Sequence, residues 1–183
     1  MRETPNPKYR TAEFRGDLRS RARIFWGTVV AIALLWVLLI VGAPTAHAFG
    51  GHAISESLYG FFGYACHQDP ARSFHVFGEK LAVCSRCFGV YFGLFGGLLA
   101  YPLLRPMDET RPLPRVWLFA AMVPMAIDWS LGYFRILENT HFSRVVTGLI
   151  LGIACAVFIV PALIELAELG LNRSLAKSKK AAG

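Results

Sequence analysis

VCSRCFGVYFGLFGGLLAYPLL, residues 83–104, sets Cys84 and Cys87 directly ahead of an apolar run from Phe88 to Leu104. A helix needs roughly 20 apolar residues to cross a hydrocarbon core of about 30 Å. The run falls slightly short of that and reaches it by borrowing a turn from Cys84 to Cys87, which puts both thiols at a membrane surface. Three further runs, Ile24 to Ala43, Arg115 to Phe134 and Val145 to Leu166, have spanning length. With 55% apolar residues over 183 positions and a mean hydropathy of +0.45, the chain lies outside the range of ordinary soluble domains. The fold class read from this pattern is all-α: a polytopic membrane helix bundle of about four transmembrane helices.

The same stretch carries Gly89, Gly93 and Gly97 at steps of four, and the fourth run repeats the step at Gly148, Gly152 and Ala156. Small residues so spaced let helix backbones approach closely in lipid, where no hydrophobic drive brings helices together. The second and fourth spans are therefore expected to pack against each other beneath the cysteines.

Fourteen of the 19 lysines and arginines precede the first span, separate the second from the third, or follow the fourth. Cytoplasmic loops retain such residues, so both termini are expected in the cytoplasm of a multi-pass cell-membrane protein. The formal charge of +7 then reflects topology and contact of the basic termini with anionic lipid headgroups, and not nucleic acid. The chain divides into a mobile basic arm (1–23), a membrane anchor helix (24–43), a membrane domain with the Cys/His site and three helices (44–171) and a basic tail (172–183). Ala46-His47-Ala48 resembles a signal-peptidase site, but the apolar run and the charged segment ahead of it are both long for a signal peptide, which favours an uncleaved anchor.

Between the first two spans lies the outer segment. Ile54, Leu58, Phe61 and Phe62 form a stripe on a short interfacial helix. Gly78-Glu79-Lys80 separates two short runs, Phe74 to Phe77 and Leu81 to Cys84, as in a small hairpin that returns Cys66 towards Cys84 and Cys87. Soft thiolates and an imidazole suit a tetrahedral zinc, with copper or iron also compatible. The ligand set expected is Cys66, His67, Cys84 and Cys87, with His75 as alternate fourth ligand. Two other readings stand beside it: a thiol-disulfide oxidoreductase using Cys84 and Cys87, whose thiols lie at a helix N-terminus beside Arg86, or a structural disulfide. A c-type haem is not expected, because Phe88, not His, follows the second cysteine. Cys155 reads as a small buried hydrophobe.

Asp128 falls inside the third span, four residues past Pro124 and about 9 Å below the outer end at 1.5 Å rise per residue. A carboxylate at that depth needs a partner or water, and Arg144, at the start of the fourth span, is the expected one. Asp128, Arg144 and Arg86 are accordingly candidate catalytic residues. Beside an open metal position they would suit metal-assisted hydrolysis of a lipid or headgroup substrate; a closed Cys/His site would instead be structural or serve binding.

Cys66-His67-Gln68, Pro70, Arg72-Ser73-Phe74, the block from Val83 to Gly93, and Asp128, Asn139, Arg144 and Thr147-Gly148 together resemble a small bacterial membrane-protein family catalogued as domain of unknown function 2085. The resemblance runs from about Cys66 to Gly152. It implies a membrane domain with a Cys/His core and assigns no reaction.

Overall fold

The computed structural model describes the backbone of residues 12–107 and 113–181 and the side chains of residues 16–107 and 113–172. Among these are five α-helices: α1 (Ala12–Ala48), α2 (His52–Gly63), α3 (Ser85–Leu104), α4 (Val116–Tyr133) and α5 (His141–Ala181). All but α2 are long and apolar enough to cross a membrane. Their exposed large side chains, among them Ile32, Leu35 and Leu38 of α1 and Trp117, Phe119 and Ile127 of α4, are those a lipid environment accommodates.

The small-residue stripes of α3 and α5 interlock as their spacing predicts. A Cβ placed on Gly93 would lie 2.9 Å from Leu149 Cα, one on Gly97 would lie 2.8 Å from Ala156 Cβ, and one on Gly152 would lie 2.6 Å from the Leu94 nitrogen. Partners rise together in number, Gly89 with Val145, Gly93 with Leu149 and Gly97 with Ile153, so the two helices run parallel in one register. Their N-terminal turns consequently end side by side, carrying Arg86 and Arg144.

Helix α1 starts at Ala12, well ahead of the apolar run, so residues 12–23 of the expected mobile arm are helical; residues 1–11 lie outside the described residues. Leu18 and Ala22 are fully buried against Leu98, Tyr101, Val160 and Ile164, and Trp26 donates from its indole to the Leu98 carbonyl at 2.8 Å. The anchor is thus built into the bundle, because apolar residues on its inner half face α3 and α5. Helix α5 likewise continues through much of the expected tail, to Ala181.

At the other end, α2 folds back on α1. Its buried face is Ser55, Leu58 and Phe62, spaced i, i+3, i+7, while Ile54 and Phe61 point outward. The expected apolar stripe is therefore split, because Ser55 can face α1 by donating to the Ala43 carbonyl at 2.9 Å. A second cluster, Ile40, Ala43, Phe62, Cys66, Leu81, Ala82 and Val83, seats the segment between α2 and α3 on the end of α1.

Candidate functional site

Each cysteine is positioned by a separate local device. The chain leaving α2 turns back on itself, with the Ala65 and Cys66 amides both donating to the Phe62 carbonyl. Gln68 takes a left-handed conformation, φ 51°, and its side-chain amide donates to the Tyr59 carbonyl at 2.7 Å, while its own carbonyl accepts from Lys80 Nζ at 2.8 Å. The Tyr59 hydroxyl donates to the Lys80 carbonyl. Burial, and then the charge of Glu79, raise the Tyr59 pKa above its ordinary value, as befits a hydroxyl held as a donor.

Asp69 caps the single turn Pro70–Arg72 by accepting from the Ala71 amide. A hairpin then pairs β1 (His75–Val76) with β2 (Glu79–Lys80), antiparallel, with His75 opposite Lys80. Its turn residues, Phe77 and Gly78, both have positive φ, as a two-residue hairpin turn of the type matching strand twist requires. The strand pairing therefore lies nearer the turn than the apolar runs suggested, with Glu79 and Lys80 in the second strand and not in the loop. Leu81, Ala82 and Val83 are almost fully buried and draw the chain back to Cys84, which caps α3 in an extended conformation.

The hairpin closes the site. Cys66, Cys84 and Cys87 bring their sulfurs within 4.8 Å of one another, and the Cys84 amide donates to Cys66 Sγ at 3.2 Å. All are free thiols. A tetrahedral metal with Zn–S bonds of about 2.3 Å holds its sulfurs ~3.8 Å apart, so the trio needs only a small contraction to close on one ion. Hydrogen bonds from the Cys84 and then the Cys87 thiol hold the Cys66 pKa well below its ordinary value. That favours a thiolate at Cys66, with the other two thiols donating to it. Neither His67 nor His75 joins this group; both are exposed. Cys155 lies far along α5, away from the trio.

The opposite side of the same helical turn makes a second arrangement. Ser85 is fully buried, donates to the Arg72 carbonyl at 2.9 Å and lies 2.7 Å from His141 Nδ1. Since the single hydroxyl proton goes to Arg72, the imidazole must donate from Nδ1, leaving Nε2 unprotonated in the neutral ring. Arg86 forms an ion pair with Asp128 on α4, the two side chains 20% and 10% exposed. The expected partner, Arg144, makes no hydrogen bond or ion pair with its guanidinium among the described residues. The correction follows from helix rotation: the glycine seam turns the Arg86 face of α3 towards α4, an orientation that spacing within one helix does not reveal. Asn139 donates from its side chain to the Asp128 carbonyl and sits against Gly132, where a Cβ would lie 2.6 Å from Asn139 Oδ1.

Arg72, Arg86 and Arg144, with Trp129, Tyr133 and Asn139, line a cleft of about 100 Å³. Ser85, His141 and Arg72 were not readable as site residues from spacing. The one available signal was that Ser85 and Arg86, between two cysteines, cannot lie on the cysteine face of a helix and must serve another neighbour.

The family described as "Predicted membrane protein (DUF2085)" matches residues 66–158, a span that begins at the first site cysteine and takes in α3, α4 and the N-terminal part of α5. An uncharacterized protein of Methanocaldococcus jannaschii is 39% identical over 114 residues, 62% of this chain and 72% of that protein. An uncharacterized protein of Methanothermobacter thermautotrophicus is 36% identical over 96 residues, 52% of this chain and 85% of that protein. Both relatives are archaeal, so a purely bacterial family is too narrow a description. No solved structure matches the chain. A match over half the chain and a relative covered over most of its length make one conclusion: the chain belongs to the DUF2085 family of predicted membrane proteins.

Proposed function

We propose that this membrane protein uses Cys66, Cys84 and Cys87 to hold one zinc ion that fastens the segment between α2 and α3 onto the mouth of the bundle, in a structural or binding role. The observation that carries this reading is the convergence of three free sulfurs from two separate chain segments. One disulfide would leave a thiol over, whereas a metal uses all three. Zinc suits the donor set because thiolates are soft and the ion has no redox state of its own. Three thiolates also leave it weakly Lewis-acidic, which favours a structural role over hydrolysis. The fourth position goes to water or to His67, whose loop lies next to Cys66 in the chain. In this reading the site is extracytoplasmic, both termini are cytoplasmic, and the basic termini meet anionic headgroups.

The test is elemental analysis of full-length protein purified without chelator, alongside a thiol titration before and after denaturation. About one zinc per chain, lost in Cys84→Ser and Cys87→Ser, is the expected result. Absence of metal together with two thiols fewer than the reduced count would replace it with the disulfide reading. His67→Ala decides the fourth ligand: weakened zinc retention assigns it to the imidazole, unchanged retention to water.

A further inference from the structure

We infer that the cleft between the outer ends of α3, α4 and α5 is a binding site for a phosphate group, independent of the thiol site. Three guanidinium groups converge there, from Arg72, Arg86 and Arg144. Two have carboxylate partners: Arg72 pairs with Asp69 at 3.0 Å on the exposed rim, and Arg86 pairs with Asp128. Arg144 has none. It is half-buried, and the like charges of Arg72 and Arg86 act on it, opposed by Asp128. Arg86 Nε is also buried without a hydrogen-bond partner. A partly desolvated, unmatched cation next to two others is costly unless an anion completes the set, and a buried N–H of neighbouring Arg86 lacks an acceptor.

The fold adds to this field. Because α3 and α5 run parallel, both present N-terminal turns at the cleft, where unpaired amides and helix dipoles favour negative charge. Arg86 and Arg144 each lie in one of those turns. The guanidinium fork matches the oxygens of a phosphate, and several forks around one centre suit a group with three or more acceptor oxygens better than a lone carboxylate. The cleft, of about 100 Å³, has room for a phosphate group. Trp129 and Tyr133 stack with ring centroids 5.0 Å apart and are both well exposed, as aromatic residues at headgroup level are. The phosphate could thus arrive on a lipid or free in solution; the chemistry recognised is the same.

Full-length protein in detergent is titrated calorimetrically with inorganic phosphate, and separately with dihexanoyl phosphatidate below its micelle concentration. Saturable binding of at least one probe is expected: phosphate binding assigns a soluble ligand, phosphatidate binding alone assigns a lipid. Arg144→Ala should weaken it about ten- to hundredfold, the usual effect of losing a hydrogen bond to a charged group, while Arg135→Ala, on the same face but outside the cleft, should leave it unchanged. Because Arg144 supports no partner, the alanine variant is expected to keep the wild-type melting temperature. Should it unfold, Arg144→Lys keeps the charge without the planar fork, and is read in its place. Saturable binding of neither probe, or wild-type affinity in the Arg144 variant that folds, overturns the inference. Zinc content is measured on the same samples, so loss of the metal and loss of anion binding are told apart.

Discussion

Arg86, in the first turn of α3, reaches across to Asp128 on α4, and the two helices do not otherwise pack along their lengths. The ion pair therefore links α4, of which Ala121 is the one buried residue, to α3, in addition to the packing of α4 against α5.

Removing one member of so enclosed a pair strands the other. Asp128→Ala and Arg86→Ala should each cost about 3–5 kcal/mol, and the double variant clearly less than the sum. Arg144→Ala combined with Asp128→Ala should be additive. Denaturant unfolding of the three single and two double variants measures both cycles, and coupling of Asp128 to Arg144 in place of Arg86 would contradict the observed pairing.

Gly152→Ala and Gly96→Ala make a matched comparison on the two seam helices. At Gly152 the new methyl meets Leu94 backbone, whereas nothing lies within 4 Å of the site at Gly96. Gly152→Ala is expected to cost about 1–3 kcal/mol through overpacking, and Gly96→Ala to be neutral or slightly stabilising. Equal melting temperatures for the two would refute the seam.

Metal removal should act locally. Treatment with a zinc chelator is expected to raise amide exchange between Cys66 and Val83, the segment the thiols hold, with little change in α5. Cys66→Ser should reproduce that pattern, and Cys155→Ser should not.

Tyr59 gives the outer segment a pH limit on the alkaline side. Its pKa is raised in the folded protein, so the neutral hydroxyl contributes stability that is complete below the unfolded value of about 10 and is lost as pH climbs through the higher folded value. Phenolate formation also removes the donor to the Lys80 carbonyl. Stability measured from pH 8 to 12 should fall more steeply in the wild type than in Tyr59→Phe, and parallel curves would exclude the contribution.

Topology is open to direct measurement. Reporters fused at Lys80 and at the C-terminus should lie on opposite sides of the membrane, and a common side would reverse the reading of the basic residues.

Helix number and the α3–α5 contact were legible in the chain because they depend on local quantities: the length of apolar runs and the four-residue step that places glycines on one helix face. The convergence of Cys66 on Cys84 and Cys87 was legible for a related reason, since a hairpin between them leaves the chain few other routes. The ion-pair partner of Asp128, the exclusion of His67 and His75 from the sulfur cluster, the burial of Ser85 and the unpaired charge of Arg144 were decided by tertiary structure. Each depends on how far a helix is rotated about its axis or which way a loop residue faces. Those angles come from backbone contact across the glycine seam and from the left-handed turn at Gln68, which act between segments far apart in sequence.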